Sequence, residues 1–524
     1  MTFSLLRAKI KSIDKHFYNI GLSTLMPKGK TVMVKDNFSY ATPAECGVSY
    51  ESINNFLDEI ESKKVMIHGF ALLRGDKIFA EGYYAPFHKD FLHRMYSTSK
   101  TYTSMAIGAL IAEGKISLDD PVYKFFPDKV PENLHPYIAE ATIRHLLMMA
   151  TPFDRETYGR FVPDWEYSFF NKPPQVRPGT RFIYDTCGTY ILDCIVERIT
   201  GKTFLDYLKD VALREIGFSE DAWCVYSPDG RAWGGSGVLA TVRDTVRFAT
   251  LVKNRGVAHG KQLLPADYID EATKYQISNT TQYPHPDYLH GNGYGYKIWM
   301  VQGGGYAFLG MGCQCALILP DLDFVAVFVG DTQGEPNYGY TFDILKKHVI
   351  DHIGEAYEEN AEAKAALEER LASLKIPSLS GAVSTETAEK IRGKEYTLFN
   401  NPMQMTSVRF EFDGDEGAMY YNTLRGEKKM PFGMAKNVFF KFPEKHFYDT
   451  QINLPSDREQ NAFASAEWSD ENTLHIRTYL YDNSLGNMHT YVTFDGDKIG
   501  IKMTKVAEWF MDEYQGEAYG KIKD

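Results

Sequence analysis

The sequence predicts a mixed α/β chain: an antiparallel sheet flanked by helices, followed by an antiparallel β domain of barrel or sandwich type. Three observations carry this reading. Apolar hairpin patterns stand far apart, at Ile67–Tyr83 and Cys315–Asp331. Two strongly apolar helical stretches lie between them. After Pro377 the pattern changes to short alternating segments with Asp-Gly turns.

The chain has 524 residues, too many for one ordinary domain, and two large domains or three smaller ones fit at roughly 150 residues each. Residues 1–40 give little signal and read as an N-terminal extension. In IHGFALLRGDKIFAEGY, two apolar strands flank an Arg74-Gly75-Asp76-Lys77 turn. The next stretch carries Met105, Ile107, Leu110 and Ile111 at helical spacing, with Gly114 as the cap. Residues 151–180 are rich in Pro, Tyr, Trp and Phe without periodicity, which predicts a long functional loop. A second helix is expected over Tyr190–Thr200, ended by Gly201. The run CALILPDLDFVAVFVGD reads as a buried hairpin broken at Pro320-Asp321-Leu322-Asp323. The Ala- and Glu-rich residues 354–374 read as a solvated helix. The organisation expected is therefore an extension (1–40), a first domain (41–355), a helical linker (356–376) and a β-rich domain (377–524).

Composition excludes several classes. Hydrophobic residues make up 44% and charged residues 24%, as in a globular chain with sizeable cores. No uncharged apolar run reaches the length of a membrane span, so no membrane partner is expected. The net charge of −12 argues against nucleic acid, which needs a basic face. The start, MTFSLLRAKIKSIDKHF, has no continuous apolar segment of the secretory kind, so a cytoplasmic location is expected. Six cysteines occur without CxxC spacing, and the histidines form no pair at metal-ligand spacing; no metal and no cofactor are expected. A homo-oligomer is compatible with this composition.

GxSxG, HExxH, P-loop and EF-hand patterns are absent. Ser-x-x-Lys occurs twice, at Ser12–Lys15 and Ser97–Lys100. The first lies in a polar stretch with nothing to bury it. The second opens an apolar helix, where a spacing of three puts the serine and lysine on one face, one turn apart. A buried lysine loses affinity for its proton and can serve as a base, and the positive helix end favours an oxyanion. An N-capping serine is the alternative that the helix alone leaves open.

Read together, the segments resemble the serine β-lactamase and penicillin-binding-protein-like hydrolases, the family that includes class C β-lactamases, esterases and 6-aminohexanoate-dimer hydrolases. Ser97–Val122, Thr142–Asp154, FIYDTCGTYILDCIVERITGK, Gly234–Gly256 and GKQLLP are similar to its segments in the same order, over about residues 40–355. The resemblance implies a β-lactamase-like antiparallel sheet flanked by helices plus a helical subdomain. Tyr396–Tyr519 resembles the lipocalin-like domain appended to some members. By this resemblance Ser97 is the acylated nucleophile, and Lys100 and Tyr184 activate it, a neighbouring ammonium lowering the phenol's pKa. The oxyanion hole is the Ser97 amide plus that of Met311, in the Gly310-Met311-Gly312 segment. Tyr158, on an aromatic loop, would hydrogen-bond the leaving group, and Trp165 would roof the pocket. Gln314 either orients the strand or fills a sheet position, and His93 reads as structural.

The sequence departs from the family pattern at two places. The Asn of Tyr-x-Asn is Thr186, after Asp185, and the Lys-Thr-Gly strand motif is absent. Loss of that lysine counts against β-lactam binding. The expectation is a serine hydrolase cleaving a small ester or amide. The alternatives are a true β-lactamase or D-amino-acid peptidase and, in another class, a binding protein on a disabled hydrolase scaffold.

Overall fold

Strands β1 (Ser39–Tyr40), β2 (Ile67–Arg74) and β3 (Lys77–Tyr83) open the central sheet of the computed structural model. It describes residues 38–159, 162–333, 338–444, 459–482, 484–507 and 511–523. Ser12–Lys15, and with it residues 1–37 of the expected extension, lies outside the described residues. β2 and β3 form the predicted hairpin around Gly75, whose φ of 64° favours a residue without a side chain.

Short strands β4 (His93–Arg94), β5 (Trp223–Cys224) and β6 (Val238–Ala240) form a side sheet in the order β4-β6-β5. β7 (Val257–Ala258) and β8 (Lys261–Gln262) make an isolated hairpin. β9 (Trp299–Met300), β10 (Tyr306–Gly310), β11 (Gln314–Leu319) and β12 (Phe324–Gly330) complete the central sheet, ordered β1-β3-β2-β12-β11-β10-β9. All its pairings are antiparallel except β1 with β3.

β12 explains why its sequence is continuously apolar. Val325, Val327 and Val329 face one core, which holds Phe248 of the helix Val242–Lys253. Phe324, Ala326 and Phe328 face the other, where Phe328 meets Phe56 and Phe342 at ring distances of 6.0 and 5.7 Å. Both faces are covered, so no polar alternation survives. Each buried Val or Phe contributes roughly 1.5–3 kcal/mol.

The predicted first helix spans Ser99–Ala112 and is buried nearly all round, among the helices Thr186–Thr200, Phe204–Leu208 and Ala266–Ala272. The second helix starts four residues earlier than expected, because the Asp185 carboxylate caps it by accepting the Cys187 N–H at 2.8 Å. Gly201 closes it at φ 70°. The helix expected over 354–374 spans Ala361–Ser373 and buries only Leu367.

The C-terminal region is a barrel. Its strands are β13 (Glu395–Leu398), β14 (Met405–Asp413), β15 (Glu416–Thr423), β16 (Gly426–Met434), β17 (Val438–Lys441), β18 (Asn461–Trp468), β19 (Thr473–Tyr481), β20 (Leu485–Asp495), β21 (Lys498–Ala507) and β22 (Gly516–Ile522). Nine of them form a closed ring, β16-β15-β14-β13-β22-β21-β20-β19-β18, and β17 lies on the same edge of β18 as β16. The closing pair β16–β18 is parallel, with Gly433 opposite Ser465, so the region is not purely antiparallel as expected. Closure leaves no open edge around the ring. Among the described residues no helix is long and apolar enough to cross a membrane.

Candidate active site

The chain leaves β4, passes Met95 and makes a tight turn at Tyr96–Thr98 before the helix Ser99–Ala112. Tyr96 has φ 44°, a left-handed conformation that costs a bulky residue about 1–3 kcal/mol and persists only where its surroundings hold it. From His93 to Leu110 every residue is buried except Ser97. The buried hydroxyls of the turn and helix are satisfied by neighbouring backbone. Thr98 donates to the Gln314 carbonyl at 2.5 Å, Thr101 to that of Lys297 at 3.0 Å and Ser104 to that of Tyr296 at 2.8 Å.

Lys100 Nζ donates to Ser97 Oγ at 2.8 Å and to the Gly235 carbonyl at 2.6 Å. Its Nζ lies 5.1 Å from the centre of the Tyr184 ring. The Tyr184 hydroxyl lies near Ser97, whose side chain acts to lower it. Burial pushes this phenol well above its ordinary value, and Ser97 offsets only part of the rise. The phenol is thus held above, not below, its ordinary value.

Asp185 and Thr186 occupy the departed motif positions. Burial raises the Asp185 carboxyl, against hydrogen bonds from Thr151 Oγ1 (2.9 Å) and Cys187. Thr186 packs on Gly235, where an added Cβ would come within 2.5 Å of the Thr186 methyl. Gly235 is thus small so that its carbonyl can reach Lys100. The tandem glycine Gly234-Gly235 was its signal in the sequence.

Gly310 ends β10 against the Tyr96–Thr98 turn, where a Cβ would meet the Met95 carbonyl at 2.3 Å. Met311 follows it in the turn and is partly exposed, whereas Gly312 is buried. Gln314 is fully buried behind the turn. Its Nε2 donates to the carbonyls of Met311 (3.0 Å) and Gly330 (2.6 Å), so it braces the turn and faces no substrate.

Tyr158 and Trp165 are placed differently from the expectation. Tyr158 is only 5% exposed, stacks on Trp165 at 4.0 Å and accepts a hydrogen bond from Trp233 Nε1 at 3.1 Å. Trp165 is 1% exposed, with Tyr190 and Trp233 edge-on. Large rings drive this stretch inward, so it forms core rather than a roof. The aromatic rings around Tyr184 come instead from β9 and the segment before it. Trp299 stacks on Tyr184 at 5.3 Å, and Tyr283 and His290 pack edge-on against Trp299.

His93 is buried and pairs with His68, Nε2 to Nδ1 at 3.3 Å, away from Ser97; burial holds it down at about 3, so it is neutral. All six cysteines are free and buried. Among the described residues no group of three or more His, Cys, Asp or Glu side chains is arranged to hold a metal ion.

Residues 59–346, more than half of the chain, match the family model described as Beta-lactamase. The chain belongs to the beta-lactamase family. It is 27% identical over 248 residues to the 6-aminohexanoate-dimer hydrolase of Paenarthrobacter ureafaciens, a match covering 44% of this chain and 63% of that relative, less than two thirds of its length. Among solved structures, the octameric penicillin-binding protein homologue from Pyrococcus abyssi is 16% identical, with a TM-score of 0.46 over 90% of this chain and 99% of that one. EstCE1, described as a hydrolase with promiscuous acyltransferase activity, is 13% identical, with a TM-score of 0.48 over 57% and 97% of the two chains. Ser97, Lys100 and Tyr184 come together here, and Gly235, Lys297 and Trp299, which no sequence expectation singled out, lie around them.

Proposed function

We propose that the chain is a serine hydrolase that cleaves a small ester or amide through an acyl-enzyme on Ser97. The observation that carries this is the isolation of Ser97. It is the one accessible residue in a buried stretch, its hydroxyl accepts a hydrogen bond from Lys100, and the Lys100 amine also faces the Tyr184 ring.

In this reading Lys100, as the neutral amine, takes the Ser97 proton while Oγ attacks the carbonyl carbon. The carbonyl π electrons move onto oxygen, which the amides of Ser97 and Met311 receive. Collapse of this intermediate restores the C=O and expels the alcohol or amine. The protonated Tyr184 supplies the leaving group's proton and is refilled from Lys100. Water then attacks the acyl-enzyme by the same steps in reverse order. Trp299, Tyr283 and Tyr184 favour a substrate with an apolar or aromatic portion.

The test is intact mass after exposure to a fluorophosphonate, beside turnover of a short-chain p-nitrophenyl ester. One adduct and ester turnover are expected for the wild type, and neither for Ser97→Ala. An unlabelled, inactive but folded wild type would overturn the reading, as would turnover retained by Ser97→Ala.

A further inference from the structure

The nucleophile turn is held from an unexpected side. Where the chain enters β20, Ser484 and Leu485 reach the residues flanking Ser97. The Leu485 N–H donates to the Tyr96 hydroxyl at 2.7 Å, across 389 residues of sequence. Arg94 Nη1 donates to Ser484 Oγ at 3.0 Å. A Cβ on Gly312 would lie 2.9 Å from Leu485 Cδ1, so this side chain abuts the turn that carries Met311. Arg94, Tyr96, Ser484 and Leu485 are all at most 4% exposed.

Arg94 adds a second grip. Its other nitrogens donate to the Ser236 carbonyl (2.8 Å) and hydroxyl (3.1 Å), and its guanidinium lies over the Tyr96 ring at 4.5 Å. Tyr96 is thereby fixed at its ring and its hydroxyl, and this is the residue with the left-handed backbone immediately before the nucleophile. A strained conformation persists only where its surroundings over-determine it. One of the groups that does so here belongs to the barrel.

We infer that Ser484 and Leu485 of the barrel are positioning residues for acylation, holding Tyr96 and the Gly310–Gly312 turn so that Ser97 Oγ and the oxyanion amides keep their mutual geometry. The inference rests on the Ser97 reading above. It assigns the barrel a part in the chemistry, where a cover or spacer would leave the turn indifferent to these contacts.

The experiment uses the full chain and four variants: Leu485→Ala, Ser484→Ala, Tyr96→Phe and, as a control, Leu474→Ala. Leu474 is buried in the barrel interior. Fluorophosphonate labelling rate, kcat, KM and Tm are measured for each. Tyr96→Phe and Leu485→Ala are expected to lose about tenfold or more in labelling rate and kcat, with KM within about twofold, because the loss falls on the transition state. Their double variant should lose no more than the worse single one. Leu474→Ala should lower Tm yet label at the wild-type rate. If Leu485→Ala fails to fold, Ser484→Ala and Tyr96→Phe, which each remove one hydroxyl, carry the test. Wild-type labelling rates in the folded hairpin variants, or a loss in Leu474→Ala proportional to its Tm, would overturn the inference. A wild type that takes no label would overturn the Ser97 reading itself, and this inference with it.

Discussion

Lys297 Nζ lies 3.1 Å from the sulfur of Met149, a thioether standing where a buried lysine ordinarily meets a carboxylate. Both residues have left-handed backbones, at φ 63° and 58°. The Lys297 N–H donates to the Leu147 carbonyl, and its own carbonyl accepts from Thr101, one residue after Lys100. Burial holds this amine well below the ordinary lysine value. The folded state therefore binds fewer protons here than the unfolded chain. The resulting cost is present at pH 7 and vanishes as pH rises past the unfolded value of ~10.4. Lys297→Met should stabilise the protein by about 2 kcal/mol at pH 7, with the gain shrinking toward pH 10. Urea unfolding at the two pH values measures it.

Gly235 and Thr186 form a steric couple. Gly235→Ala would drive its new methyl into the Thr186 methyl and shift the carbonyl that holds Lys100. Ester turnover should fall by roughly 10²-fold, since small displacements of catalytic groups cost that much. Adding Thr186→Ser removes the clashing methyl and should recover part of the rate. A double variant no better than Gly235→Ala would show that the clash is not the cause.

Tyr184→Phe should lower kcat by about 10²–10⁴, the usual worth of a positioned proton donor. Since burial raises this hydroxyl, its own titration should leave no limb in the kcat/KM profile between pH 5 and 9. A basic limb that disappears in Tyr184→Phe would contradict the assignment of Tyr184 as the acid.

Asp331 follows β12, is buried, and is pushed up to about 6 by desolvation, against hydrogen bonds from Gln333 and Asn487. The native state holds this proton more tightly than the unfolded chain, so stability contributed by the group rises as pH falls from about 6 toward 4 and is absent above 6. Asp331→Asn should therefore be more stable than wild type at pH 8, by about 1–2 kcal/mol, and equal to it near pH 4. Thermal melts across that range give the comparison.

What could be read from the sequence was what is local. Ser97 and Lys100 are one turn apart, so helical periodicity alone brings them together, and the Tyr184 segment was recognisable from the helix after it. Gly235, Lys297, Trp299 and Leu485 arrive from distant segments by packing, and no spacing rule reports such a meeting. The stretch holding Tyr158 and Trp165 misled for a different reason. Prolines and missing periodicity suggested an exposed loop, while the size of its rings decided its burial. The barrel's alternation was legible, but the parallel β16–β18 closure and the helix Glu386–Ile391, only six residues long, were not.

The adjacency of β2 and β12 has a bearing on biosynthesis. Seven pairings join them, from Phe324 opposite Arg74 to Gly330 opposite Ile67 past a register shift after Val329, so an early hairpin waits for the last strand of its sheet. A nascent chain carries β2 with an unpaired apolar edge until Gly330 has cleared the ribosome, and contacts this distant in sequence are slow to form. N-terminal fragments ending before β12 should aggregate instead of yielding a small working enzyme, and slowing translation upstream of Phe324 should prolong the chain's dependence on chaperones.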